Sequence, residues 1–353
     1  MSSKRQVKAG DKLIGGGARI TVQSMTNTET WDVDATVAQI KSLESAGCDI
    51  VRSSVYDKEC AKAISKIKQN ISIPLVADVH FDYRLAIAAI ENGADKIRFN
   101  PGNIGSEAKV RELVSCAKMH SAPVRIGVNS GSVEKEMLEK YGGPTPEAMV
   151  ESVLKHVRIL ERAQYEDMVL SVKASNVPDT VKAYRLLDKQ VDYPLHIGVT
   201  EAGSDSEGLV KSSMGIGALL LDGIGDTLRV SLTGDVVQEV VAAKMILRAA
   251  GILKTGVEVV SCPTCGRCKV DLTSVVNRAK NELVCDDKYI KVAIMGCVVN
   301  GPGEAKEADI GIAFAPDGAV MFKKGERVFS GKKDEVIKEF FQQAKLLINT
   351  EEQ

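Results

Sequence analysis

Aromatic side chains are scarce in this 353-residue chain, at 4% with a single tryptophan, so its core must be packed mainly with aliphatics. Long apolar runs are missing as well. No stretch approaches the roughly 18 residues that a membrane span requires. The opening MSSKRQVKAG carries positive charge with no apolar run behind it, so no signal peptide is expected and the cytoplasm is the expected location. Charge of one sign is also lacking: the net charge of -1 argues against a bulk nucleic-acid or anionic-membrane binder. A disulfide framework is not expected for the eight cysteines of a long chain without a signal. Cys48, Cys60 and Cys116 are scattered through helix-like segments and read as small buried hydrophobes.

What is present, from residue 20 to about 232, is alternation. Short apolar runs at 20–25, 49–55, 74–80, 96–101, 124–129, 168–175, 195–203 and 227–233 are separated by longer segments such as 34–48 and 84–94. In those segments apolar residues recur at three- and four-residue spacing and a glycine follows. Repeated β–α units imply parallel strands with helical crossovers, and eight units in this length fit a closed (β/α)8 TIM barrel. An open doubly wound sheet is the competing topology. It lacks its Gly-rich dinucleotide turn, because GIGGGAR near residue 16 precedes the first expected strand. Residues 235–251 read as the last barrel helix, and from 257 onward a small α+β domain with strands and two helices follows. The expected division is residues 1–253 for the barrel and 254–353 for a second, smaller domain.

In a parallel barrel, function gathers where the strands end. Those ends and the loops after them carry Arg52, Asp78, His80, Arg98, Asn100, Arg125, Asn129, Lys173, Asn176, His196, Glu201, Arg229 and Ser231. Four arginines and a lysine converging from five strands would repel one another without an anion between them. A compact polyanion, best a diphosphate, suits the planar donor fork of arginine. For each arginine taken singly, a salt bridge to a neighbouring carboxylate is the ordinary alternative. Asp78, His80 and Glu201 are candidates for orienting hydroxyls or moving protons, while His156 reads as structural.

The remaining five cysteines lie between residues 262 and 297. Cys262-x2-Cys265-x2-Cys268 lets two thiolates face one metal centre. A structural zinc site wants a second close pair, and Cys285 and Cys297 do not form one, so the thiolates favour an iron–sulfur cluster over zinc. Spacing alone leaves Cys268 as good a ligand as Cys297.

SCPTCGR followed some thirty residues later by GCVVNGPGEA resembles the 4-hydroxy-3-methylbut-2-enyl-diphosphate synthases of the non-mevalonate isoprenoid pathway. So do VQSMTNT, VADVHFDYRLA, KIRFNPGNIG, RIGVNSGS, SVKASN, GVTEAG and RVSLTGD, in order along nearly the whole chain. The resemblance implies reductive ring opening and dehydration of 2-C-methyl-D-erythritol 2,4-cyclodiphosphate to the allylic diphosphate, with two electrons passing through a [4Fe-4S] cluster. It implies Cys262, Cys265, Cys297 and Glu304 as cluster ligands, with Cys268 a bystander. It implies that Arg52, Arg98, Arg125, Lys173, Arg229 and Ser231 hold the diphosphate, with Asn129 and Asn300 as further contacts; Asp78 and His80, read from the strand ends, are expected beside them as substrate-binding residues. Glu201 is the expected acid for the departing hydroxyl and Glu304 a displaceable ligand at one iron. Ferredoxin or flavodoxin would supply electrons, and a homodimer would bring the cluster domain of one subunit over the barrel of its partner. The competing readings are a non-redox barrel enzyme of phosphorylated or pterin-type substrates with a structural zinc module, and a pure cluster carrier.

Overall fold

The chain opens with an element that the sequence reading leaves as coil: an antiparallel hairpin of β1 (Gln6–Ala9) and β2 (Lys12–Gly15). Its turn needs Gly10 at φ 58° and its exit Gly15 at φ 82°, left-handed positions that glycine adopts without strain. In this computed structural model the described residues are 3–80, 82–99, 106–268, 270–285, 288–297, 299, 303 and 307–350; the side chains of residues 107 and 205 are outside that description. The chain divides into two units, residues 1–250 and 251–353.

Each of the eight apolar runs forms a strand. These are β3 (Thr21–Met25), β4 (Ile50–Ser54), β5 (Leu75–Asp78), β6 (Lys96–Phe99), β7 (Val124–Asn129), β8 (Met168–Lys173), β9 (His196–Ile197) and β10 (Thr227–Leu228). They hydrogen-bond in the order β8-β7-β6-β5-β4-β3-β10-β9, every pair parallel. A parallel bridge between Leu170 and Leu195, with the Leu170 N–H donating to the Pro194 carbonyl at 2.8 Å, joins the two ends and closes the barrel. The open sheet is thereby excluded.

The intervening helices are α1 (Val33–Ser45), α2 (Lys58–Lys68), α3 (Tyr83–Glu91), α4 (Glu107–Met119), α5 (Lys135–Tyr141), α6 (Pro146–Arg162), α7 (Val177–Asp188), α8 (Asp205–Leu221) and α9 (Val236–Ala249). Several begin where their sequence says they should. The side chains of Asp32, Asp57, Asp82 and Asp235 accept hydrogen bonds from first-turn backbone N–H groups, a cap that stabilises a helix end by about 1 kcal/mol. The hairpin packs Val7, Ala9 and Ile14 against Ile50, Val76 and Val169, near the N-terminal ends of the strands. That end of the barrel is plugged with apolar side chains, which leaves the C-terminal face for a site.

The second unit is a mixed sheet of β11 (Gly256–Ser261), β12 (Tyr289–Met295), β13 (Ile310–Ala315), β14 (Gly318–Lys323) and β15 (Glu326–Gly331), in that order, parallel across the first three and antiparallel thereafter. Helices α10 (Leu272–Glu282) and α11 (Lys333–Asn349) cover one face over a core that includes Ile294, Phe314 and Phe340. The sequence reading has no counterpart of β15: ERVFSG is a mostly exposed edge strand, and with no face buried it shows no apolar alternation.

Candidate active site

Side chains alternate along a strand, so residues two apart share a face. Arg52, Asp78, Arg98, Arg125, Lys173 and Arg229 all come from the inward face of the barrel strands or the residue just beyond them. Asp78, 3% exposed, sits between two arginines, with its carboxylate 3.4 Å from Arg52 Nε and 3.1 Å from Arg98 Nη1. His80 lies at the rim with its ring 3.1 Å from Arg98 Nη1. Arg125 donates from Nη1 to Ser171 Oγ at 2.8 Å, and its Nε and Nη2 have no partner among the described residues. Arg229 is held from outside the strands: Glu239 of α9 accepts from its Nη2 at 2.9 Å and its Nε at 3.2 Å.

Two glycines make room for this cluster. A Cβ on Gly127 would lie 2.8 Å from Ser171 Oγ and 3.1 Å from Arg125 Nη1. One on Gly198 would lie 2.8 Å from Lys173 Nζ, so the lysine stem runs over bare backbone there.

Electrostatically the cluster is unbalanced. Arg52, Arg98, Arg125, Lys173 and Arg229 face Asp78 and Glu239. Burial lowers the Arg52 guanidinium to about 10, with Asp78 opposing and Arg229 and Arg98 adding to the effect. Arg125 and Lys173 are driven well below their ordinary values by burial first and by the surrounding guanidiniums second. Burial alone would raise the Asp78 carboxyl, but Arg52, Arg98 and Arg125 outweigh it and hold it at about 2. Burial and the arginines also lower His80, against Asp78. Such a site favours a bound polyanion that removes the mutual repulsion.

Glu201, exposed in the loop after β9, has φ 51°. A non-glycine residue in the left-handed region costs about 1 kcal/mol or more and persists where the surroundings require it. Ser231 is half-buried two residues beyond Arg229, and Asn129 ends β7 and is half-buried. Asn176 is used in the fold: its Oδ1 accepts from the Asp179 N–H at 2.8 Å and caps α7. His156 is fully buried in α6 beside Glu134, at 2.7 Å, a structural placement. Asn100, Asn300 and Glu304 lie outside the described residues.

The sequence reading missed Glu239. Its only mark is a carboxylate, one turn into the helix, that is 1% exposed among apolar residues of the buried face; it also accepts from Ser24 Oγ at 2.9 Å and from the Leu232 N–H at 3.1 Å. It missed Lys96 too, taken as the first residue of an apolar run.

In the second unit the Gly296 N–H donates to Cys262 Sγ at 3.2 Å, which ties the end of β11 to the residue before Cys297. A Cβ on Gly296 would lie 2.6 Å from Cys268 Sγ. Cys265 is exposed, and its thiol is lowered chiefly by the Arg267 backbone N–H, which favours thiolate. Cys268 is half-buried and donates to the Val270 carbonyl at 3.2 Å. Among the described residues no three Cys, His, Asp or Glu side chains converge closely enough to hold a single metal ion. Two segments brought together through a glycine, with N–H donors on sulfur, fit a thiolate-bound group.

Residues 4–244 match the family described as GcpE TIM-barrel domain, and residues 258–346 match the GcpE protein C-terminal domain. The chain belongs to the GcpE family. This is the family that the motifs of both units imply. A relative from Caldanaerobacter subterraneus subsp. tengcongensis is 56% identical over 98% of each chain; one from Ruminiclostridium cellulolyticum is 56% identical over 96% of each; one from Geobacter sulfurreducens is 54% identical over 92% of each. All three are named 4-hydroxy-3-methylbut-2-en-1-yl diphosphate synthase (flavodoxin). Among solved structures, dihydropteroate synthases of Yersinia pestis (13% identical, TM-score 0.51) and Stenotrophomonas maltophilia (14%, TM-score 0.51) align with 70% of this chain and 100% and 99% of theirs. At that identity the likeness shows a shared barrel fold alone. The GcpE match over both units does not favour the reading as a non-redox enzyme with a zinc module.

Proposed function

We propose that the protein is an oxidoreductase that opens 2-C-methyl-D-erythritol 2,4-cyclodiphosphate to (E)-4-hydroxy-3-methylbut-2-enyl diphosphate. The observation that carries this is the excess of buried cations at the barrel mouth, set in a chain whose relatives at 54–56% identity bear that synthase name. In the reaction the carbon–oxygen bond that closes the ring breaks, the neighbouring hydroxyl leaves as water and a double bond forms between the two carbons. Two electrons and two protons enter. Arg52, Arg98, Arg125, Lys173 and Arg229 grip the diphosphate, with Ser231, Asn129 and Asn300 as further contacts. Asp78 and His80 orient the hydroxyl-bearing end, and Glu201 gives a proton to the departing hydroxyl.

Cys262, Cys265, Cys297 and Glu304 would hold a [4Fe-4S] cluster, which would supply the two electrons, received from flavodoxin or ferredoxin. The N–H bond to Cys262 and the lowered Cys265 thiol support that set; the hydrogen that Cys268 donates to Val270 supports its exclusion. Residues 1–253 would serve substrate binding and residues 254–353 electron delivery. No described helix is long and apolar enough to cross a membrane, which is compatible with a cytoplasmic enzyme.

The working form we propose is a homodimer in which the cluster domain of one subunit serves the barrel of its partner, shielding reactive species from water. Support comes from an open cleft of about 300 Å³ between α8 and α9, lined by Leu209, Leu221, Met245 and Ile246 among others and by no charged side chain. Leu221 and Met245 are more than half exposed there, an apolar patch of the kind that homodimers bury. Anaerobic assay of cluster-reconstituted protein with the cyclic diphosphate and a strong reductant tests the reading: allylic diphosphate should accumulate. A protein that carries iron and sulfide but releases none of that product would rule it out.

A further inference from the structure

Beneath the diphosphate site lies a second polar layer that the reaction described above does not use. Lys96 opens β6 two residues before Arg98, on the same inward face. It is fully buried, and its Nζ has no hydrogen-bond partner among the described residues. His196 on β9 is also fully buried with both ring nitrogens unpartnered among the described residues. Gln23, Thr21 and Thr227 bring further unpartnered polar atoms to the inward faces of β3 and β10. Barrel interiors are normally filled by branched aliphatics, and a buried ammonium without a counter-charge is costly.

The charged and titratable groups around this layer are Arg52 on β4, Asp78 on β5, His80 at the rim beside Asp78 and Arg98, Arg98 on β6, Arg125 on β7, Lys173 on β8, His196 on β9, Arg229 after β10, Glu239 on α9 and Tyr184 on α7. β3 contributes none. Both carboxylates are already engaged by arginines. The Tyr184 hydroxyl donates to the His196 carbonyl at 2.5 Å. Lys96 is therefore a basic group with cations above it and no anion of the protein's own assigned to it.

We propose that Lys96 is a positioning residue for the diphosphate that takes up a proton from solvent as the anion binds above it, so that above neutral pH binding and proton uptake are one event. The inference rests on the diphosphate reading of the barrel mouth. Burial first, then Arg125 and Arg52, lower the Lys96 ammonium to about 7. Two negative charges placed among those arginines reverse the local field and raise it. A group whose pKa rises on binding gains a proton wherever the pH lies between its free and bound values. His196 is pushed below its ordinary value by burial and then by Lys173, Arg125 and Lys96, and Lys173 is lowered by burial and the arginines as well, so the proton is assigned to Lys96 by its loss in the Lys96 variants.

Titration calorimetry of the full chain with the cyclic diphosphate, without reductant and in two buffers of different ionisation enthalpy, counts the protons. Each phosphorus of that ligand bears one strongly acidic oxygen, so the ligand itself contributes none near neutrality. Wild type should take up close to one proton at about pH 8 and almost none at about pH 5.5, and its affinity should weaken between about pH 7 and 9. Lys96→Met should bind about tenfold more weakly below pH 7, with no pH trend in this range and no uptake. Lys96→Arg, permanently charged, should bind without uptake. Binding by wild type with no proton uptake, or uptake that survives in both variants, overturns the proposal. Failure of wild type to bind the cyclic diphosphate at all removes the diphosphate reading beneath it. Should Lys96→Met not fold, the wild-type pH series and Lys96→Arg still decide.

Discussion

At the scale of single residues, the site is a store of unfavourable electrostatics held in place by two carboxylates. Asp78→Asn leaves Arg52 and Arg98 without their counter-charge and should cost about 3 kcal/mol of stability, measured by denaturant unfolding, with much of the loss recovered when pyrophosphate is added. The pH dependence follows from the same carboxylate. Its folded pKa of about 2 lies below the ordinary value of 3.8, so its contribution is full above pH 4 and disappears as pH falls towards 2. That contribution is about 2 kcal/mol, visible as a drop in unfolding free energy over that window that is absent in Asp78→Asn. Glu201 makes a different prediction, because its backbone is in the left-handed region. Glu201→Gly should leave the melting temperature equal or higher while turnover falls by about a hundredfold or more. Glu201→Gln should bind the cyclic diphosphate almost normally and also lose turnover. If either variant turned over like wild type, the acid would have to be sought elsewhere.

At the scale of elements, the barrel's two ends are specialised by different means. The β1–β2 hairpin fills the N-terminal end, and Ile14, fully buried there, should cost about 2–4 kcal/mol when changed to Ala, with substrate affinity little altered in the folded fraction. At the other end strand glycines set the positions of the cations. Gly127→Ala must displace Ser171 or Arg125, so it should raise KM several-fold while near-native stability is kept. In the second unit Gly296→Ala meets Cys268 Sγ at 2.6 Å. It should lose iron, as should Cys262→Ser and Cys297→Ser, whereas Cys268→Ser should keep it. Iron content and the broad absorption near 400 nm of anaerobically purified protein report all four. Retention of iron by Cys297→Ser with its loss from Cys268→Ser would reverse the ligand assignment.

At the scale of the whole molecule, the proposed exchange of cluster domains has a distinctive signature. Mixing Glu201→Gln with Cys297→Ser, each inactive alone, should restore about a quarter of wild-type activity after subunit exchange, because half of the dimers would pair an intact barrel with an intact cluster domain at one of two sites. No recovery, with exchange verified, would mean that each barrel uses its own chain's cluster.

The periodicity of apolar residues by itself determined the eight β–α units, and the cysteine spacing with GCVVNGPGE identified the family, because local pattern and motif are written along the chain. The inward cations were legible for the same reason: a strand's period of two assigns them to one face. What only the tertiary structure decided was which charges meet. The hold of Glu239 on Arg229, the closure through Leu170 and Leu195, the hairpin plug and the burial of Lys96 under the arginines all join residues far apart in sequence or on different elements. Hydrophobic pattern reports which face is buried but not what lies opposite it, and electrostatic pairing depends on distance in space, which no spacing along the chain encodes.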